Sequence, residues 1–130
     1  MIDHGNKPFI TNIEAATLEN NNFRTTLWTG ANLQLTLMTI QPGEDIGLEV
    51  HADHDQFLRI EQGGAIVHMG PSEDELEEMQ AGENDAIFVP AGMWHNVTNA
   101  GDVLLKLYSI YAPPEHPHGT VHATKQDAVE

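Results

Sequence analysis

Glu49 and His51 stand two residues apart in the stretch GLEVH. In an extended chain that spacing sends both side chains off the same face. The turn Ala52-Asp53-His54-Asp55 follows, and Gln56 comes after it, where the chain can double back into an antiparallel partner. On that partner the Gln56 amide returns to the same side of the sheet. Far downstream, His95 sits just after the tight turn Pro90-Ala91-Gly92-Met93-Trp94. Two imidazoles, one carboxylate and one amide form a ligand set for a divalent metal that accepts nitrogen and oxygen. Gln56 is either the fourth ligand or a group that orients Glu49 or a water. His54 and Asp55 lie in the turn and are expected to face solvent, although either could compete for the place of Gln56.

The elements that must position these groups read as short strands. Leu33, Leu35 and Leu37 alternate with Gln34 and Thr36, the period-two pattern of a half-buried strand with its polar residues outward. Gln56 to Glu61 places Phe57, Arg59 and Glu61 on one face and Leu58 and Ile60 on the other. Gln62-Gly63-Gly64 then turns into Ala65-Ile66-Val67-His68-Met69, with His68 on a strand surface, and Ala86 to Val89 stops at Pro90. Val103 to Tyr111 is a long last strand stopped by Pro113-Pro114. Strands at this spacing with Gly/Pro turns predict an all-β sandwich or small barrel in one domain over residues 1–130. Asn12 to Asn20 predicts a turn or two of helix, capped by Thr11 or Asn12. The acidic SEDELEE run, Ser72 to Glu78, reads as a solvated excursion. The tail over 112–130 carries His116, His118 and His122 and reads as extended, or else as folded over a barrel mouth, its own or a partner's.

Composition removes whole classes of function. In 130 residues there is no cysteine, so thiolate zinc sites, iron–sulfur clusters, disulfides and Cys nucleophiles are excluded. Twenty Asp and Glu face five Lys and Arg, a formal charge of −15. Such a surface repels nucleic acid and anionic membranes and limits anionic substrates. The only cationic anchors are Lys7, Arg24, Arg59, Lys106 and Lys125. The opening MIDHGNKPFI lacks the apolar run of a signal peptide, no segment approaches a membrane span, and a cytoplasmic protein is expected.

Two runs resemble the motifs of the cupin superfamily. The first has the form G-x5-H-x-H-x(3,4)-E-x6-G. Gly43 opens it here, Glu49 and His51 fall at the paired His positions, Gln56 at the Glu, and Gly63 closes it. The second, G-x5-P-x-G-x2-H-x3-N, has Asn84 at its opening Gly and then Pro90, Gly92, His95 and Asn99 in step. The match covers Gly43 to Asn99. EVHADHDQFLRIEQG and VPAGMWHNVTN look especially like the small single-domain cupins described as mannose-6-phosphate-isomerase-like. The resemblance implies a cupin-type double-stranded β-helix, a small jelly-roll barrel, holding a metal through Glu49, His51, Gln56 and His95. The usual shell is three His and one Glu; here the carboxylate has changed places and an amide fills a corner.

The resemblance and the ligand set together predict a metal-binding cupin, for which two functions are open. One is a small enzyme, isomerase-like or dioxygenase-like, acting on a neutral or weakly charged small molecule. Its ion would be iron, manganese, nickel or zinc, and Glu49 its base. Phosphosugar substrates are disfavoured, because phosphate favours clustered Arg or Lys. The other is a non-catalytic cupin that binds a sugar-like or other small ligand. A homodimer is expected, covering the outer face of the last strand where Tyr108 and Ile110 lie opposite Leu105 and Leu107.

Overall fold

The computed structural model describes residues 2–128, so the last two residues of the tail lie outside the description. In chain order the elements are α1 (Ile13–Glu19), β1 (Arg24–Thr29), β2 (Gln34–Ile40), β3 (Asp55–Gln62), β4 (Ala65–Gly70), β5 (Glu77–Ala81), β6 (Ala86–Val89), β7 (Trp94–Asn99), β8 (Leu105–Ala112) and β9 (Val121–His122). A 3₁₀ turn over Lys125–Ala128 comes last. The strands form two antiparallel sheets, one ordered β6-β3-β8-β2-β1-β9 and the other β5-β4-β7. This is the expected all-β jelly roll. No helix among the described residues is long and apolar enough to cross a membrane.

The polarity of β2 is the reverse of the expectation. Gln34 and Thr36 are fully buried and share the inner face with Met38 and Ile40, which belong to the main core. Leu35 and Leu37 face outward. They do not meet water, because Leu37, Leu27 and Tyr108 pack under Phe9, Ile13 and Ala16 of the N-terminal segment. Alternation defines two faces, but both are covered here, and only the tertiary arrangement decides which one lines the interior.

Register then grades the interior from one end to the other. Gln34 pairs with Tyr111, Thr36 with Ser109, Met38 with Leu107 and Ile40 with Leu105. On the far side of β8, Gln56 pairs with Tyr111, Leu58 with Ser109 and Ile60 with Leu107. One end of the barrel is therefore polar and the other is closed by Ile40, Leu58, Ile60, Leu105 and Leu107, all 0% exposed.

The helix forms as its cap predicts, with Asn12 accepting from Ala15 N–H at 2.9 Å. Its other end is held by Lys106, whose ammonium donates to the carbonyls of Leu18 and Asn20 and to Asn21 Oδ1. The outer face of β8 is thus largely covered by this chain's own helix.

Three segments differ from the sequence expectation. GLEVH is not a regular strand: Gly47 at φ +94° interrupts it, leaving isolated bridges Asp45↔Thr98 and Glu49↔His95. The acidic run is a turn leading into β5, an edge strand whose charges oppose edge-to-edge pairing. The tail is folded back, with β9 pairing Arg24↔His122 and Thr25↔Val121. Asn84, which stands where the second motif has Gly, adopts φ +71°, a left-handed conformation that Asn tolerates better than most residues. Asn99 ties its turn as expected, donating to Ile40 and Val103 carbonyls at 2.9 Å each.

Candidate metal centre

The bridge between Glu49 and His95 is the device that brings the two motifs together. Glu49 N–H donates to His95 carbonyl at 3.0 Å and His95 N–H to Glu49 carbonyl at 2.9 Å. Such a closely bonded pair puts its two side chains on one face. His51, two residues on, joins them. Glu49 Oε1 lies 3.3 Å from His51 Nε2 and 3.4 Å from His95 Nε2, and ligand atoms of the three residues all fall within 4.8 Å of one another.

Both imidazoles are oriented from behind. His95 Nδ1 is 3.1 Å from Met93 carbonyl, an acceptor only, so Nδ1 carries the proton. His51 Nδ1 faces Glu115 Oε1 at 3.4 Å. The Nε2 atoms of His51 and His95 are buried and, among the described residues, make no hydrogen bond of good geometry, with only Glu49 Oε1 facing them at 3.3 and 3.4 Å. Two Nε2 lone pairs converging on one carboxylate, each ring held through Nδ1, is the arrangement a divalent ion requires of histidine. Burial alone would raise the Glu49 carboxyl, yet the His51 and His95 rings that face it outweigh burial and hold the group at about 2. His51 is raised above its usual value, mainly by the Glu49 carboxylate 3.3 Å away and against burial. The donor atoms of Glu49, His51 and His95 lie close enough together to hold one divalent cation.

Gln56 is buried on the inner face, with Nε2 donating to Ser109 Oγ at 2.8 Å and Oε1 left without a partner. An orphan carbonyl oxygen is free to take a cation, a water or a ligand hydroxyl. His54 lies 3.5 Å from Glu115 and 3.1 Å from Pro114 carbonyl, so it braces the tail. Asp55 is exposed and accepts from Ala91 N–H at 2.9 Å, fixing the turn before His95.

Sequence reasoning did not single out Arg24, Gln34 or Glu115 for the site, and gave His116 only through the folded-tail alternative. The folded alternative is the observed one, over the chain's own barrel. His116 packs edge-on against Tyr111, centroids 5.3 Å apart, and Tyr111 stands 5.7 Å from His51. Burial first, then the charge of Arg24, lowers His116 to about 4, so it is a neutral ring at pH 7. The Pro-spaced EHPH run was the available signal for the tail. Arg24 had none, since nothing in RTTLWT marks which alternate residue enters the barrel.

Residues 36–111 match the family described as Cupin domain. YrkC of Bacillus subtilis is 62% identical over 128 residues, covering 98% of this chain and 69% of that protein. A Bacillus halodurans protein of known crystal structure is 57% identical, with a TM-score of 0.97 over 98% of each chain. The oxalate decarboxylase of Bacillus subtilis, studied for its Mn(II) centres, aligns at a TM-score of 0.60 and 23% identity. That alignment covers 66% of this chain and 23% of the decarboxylase, and shows a shared fold.

Proposed function

This chain belongs to the cupin family, and on that premise we propose that it is a small metal-dependent enzyme acting on a small molecule in the barrel. Glu49, His51 and His95 would hold one divalent ion, with the orphan Oε1 of Gln56 as a fourth donor. Bound there, the ion would supply Lewis acidity toward a carbonyl or hydroxyl oxygen. The observation that carries this reading is the pair of buried Nε2 atoms that converge on Glu49 Oε1, their rings oriented through Nδ1 by Met93 carbonyl and Glu115.

The chain's own residues set the conditions. Glu115 keeps a carboxylate behind His51, which favours the lone pair on Nε2. Leu58, Ile60 and Leu107 fill the apolar end of the barrel, so the polar groups of the interior are gathered at the other end. Isomerisation and oxygen-dependent cleavage both suit an ion with two or more open positions. A non-catalytic binding module is the second reading, and one observation favours it. A carboxylate held at about 2 is a firm ligand and a weak base, which weakens the case for Glu49 as the proton acceptor.

Elemental analysis of protein purified without added metal tests the first reading. Near-stoichiometric iron, manganese, nickel or zinc supports it, and manganese is the first ion for reconstitution. Reconstituted protein is then screened for oxygen uptake and for keto–enol isomerisation. A metal-free, folded protein that takes up no ion would leave the binding module.

A further inference from the structure

The five cations of this chain meet different fates. Lys125 pairs with Asp45, Arg59 lies 3.5 Å from Glu61, Lys106 closes the end of α1, and Lys7 is exposed. Arg24 is 7% exposed and, among the described residues, has no carboxylate at ion-pair distance. Its Nη1 donates to His122 Nδ1 at 3.2 Å, and its Nε is buried without a partner. A guanidinium keeps its charge at any pH the fold survives. The guanidinium lies over the Phe23 ring, 5.2 Å from its centroid, but burying it with no carboxylate in direct contact is costly, and an anion placed beside it would offset that cost.

The position of Arg24 says where that anion lies. Thr25 bonds Asn20 beneath the helix on the outer side, so its neighbours Arg24 and Thr26 face the interior. The charges of Arg24 and of the Glu49 carboxylate both act on His51, Tyr111 and His116, so the cation and the cluster share one interior. Thr36 Oγ1, Gln56 Oε1 and His116 Nε2, on or against the same inner surface, are buried and unpartnered as well. The Glu49 carboxylate is engaged by His51 and His95.

We propose that the polar end of the barrel binds a small monocarboxylic acid, its carboxylate on Arg24 and a second oxygen, hydroxyl or carbonyl, directed at the Glu49–His51–His95 cluster. The second contact rests on the metal reading of that cluster; the first does not. One guanidinium matches one carboxylate in a forked, charge-assisted pair. A chain at −15 disfavours a more highly charged guest, and a phosphate would lack the clustered cations it favours.

The test is calorimetric titration of the intact protein with glycolate, acetate, ethylene glycol and inorganic phosphate, after manganese loading and after chelation. Glycolate should bind the loaded protein at least about tenfold more tightly than ethylene glycol, the worth of a charged hydrogen-bonded pair. Arg24→Gln should remove that preference while its manganese content, read by elemental analysis, stays at the parental level. Arg24→Lys keeps the charge without the fork and should fall between. If Arg24→Gln does not fold, the glycolate–glycol comparison on the parent protein and the Lys variant carry the test. Equal binding of glycolate and ethylene glycol, indifference of glycolate to Arg24, or phosphate binding more tightly than glycolate would overturn the proposal, even in a protein that holds metal. Arg24-dependent acetate binding by a protein that takes up no metal would uphold the carboxylate site and reject the metal reading.

Discussion

Gln34 and His116 are bound to each other twice: Gln34 Nε2 donates to the His116 carbonyl at 2.7 Å, and Gln34 Oε1 accepts from the His116 N–H at 2.9 Å. The same Oε1 accepts from Glu115 N–H at 3.1 Å. One buried amide therefore fixes the backbone that sets Glu115 behind His51.

Replacing Gln34 with Leu keeps the volume and strands those tail groups. We expect a loss of about 1–3 kcal/mol in urea denaturation, the cost of leaving buried backbone groups unpaired. Metal affinity should fall with it, because Glu115 no longer stands behind His51. A variant that loses stability with unchanged affinity would show that Glu115 does not matter to the ion.

His51→Ala and His95→Ala should each abolish most metal binding while the barrel stays folded, since each removes an oriented Nε2 from one side of the ion. Gln56→Ala should be milder, because water can replace a neutral oxygen. Circular dichroism and elemental analysis read both quantities. Parental affinity in the two His variants would place the ion elsewhere.

The pH dependence has a definite sign. His51 is raised above 6.5 in the folded chain, so without metal its protonated ring adds stability that is fully present below about 6.5 and is lost as pH rises through the raised value. Metal needs the neutral ring, so the stability that metal confers is present at neutral pH and lost on acidification. The two trends oppose each other, and the metal-induced rise in Tm should shrink steeply from about pH 7.5 to about pH 5. Glu49, held at about 2, keeps its contribution across that window and loses it only as pH falls toward that value. A rise in Tm that is flat with pH would mean the imidazoles are not ligands.

A homodimer remains the expectation, through a narrower surface than the last strand alone suggested. The helix covers Tyr108, but Ile10, Leu33 and Trp28 border an apolar hollow of about 690 Å³ over Leu35 and Ile110, with Ile10 98% exposed. Light scattering at micromolar concentration and moderate salt should give twice 14.3 kDa, and Ile10→Glu should return the monomer. A monomeric parent protein would reject it.

The strands and the site were unequally legible in the sequence. Glu49, His51 and His95 could be joined because each precedes or follows a turn whose residues announce it, β3 and β8 carried alternating patterns, and β4 and β6 showed as short apolar runs between Gly or Pro breaks. The strand β5 was hidden because an exposed edge strand needs no apolar residues, and EEMQA has the composition of a loop. The inward face of β2 is not legible in its alternation, because the leucines are buried under a helix that lies some twenty residues earlier in the chain. Arg24 was hidden for the same reason: its meaning depends on which face of β1 the rest of the chain leaves open.

That inverted strand has a consequence for how such a protein can change. On β2 the leucines that hold the helix and the polar groups that line the interior project from opposite sides of one backbone, so they mutate almost independently. The Thr36 hydroxyl, buried and without a hydrogen-bond partner among the described residues, adds no hydrogen bond to the fold. Thr36→Val should raise stability, by about 1 kcal/mol. If so, selection for thermostability alone would erode the polar end residue by residue, and its survival in this sequence would record a demand other than folding.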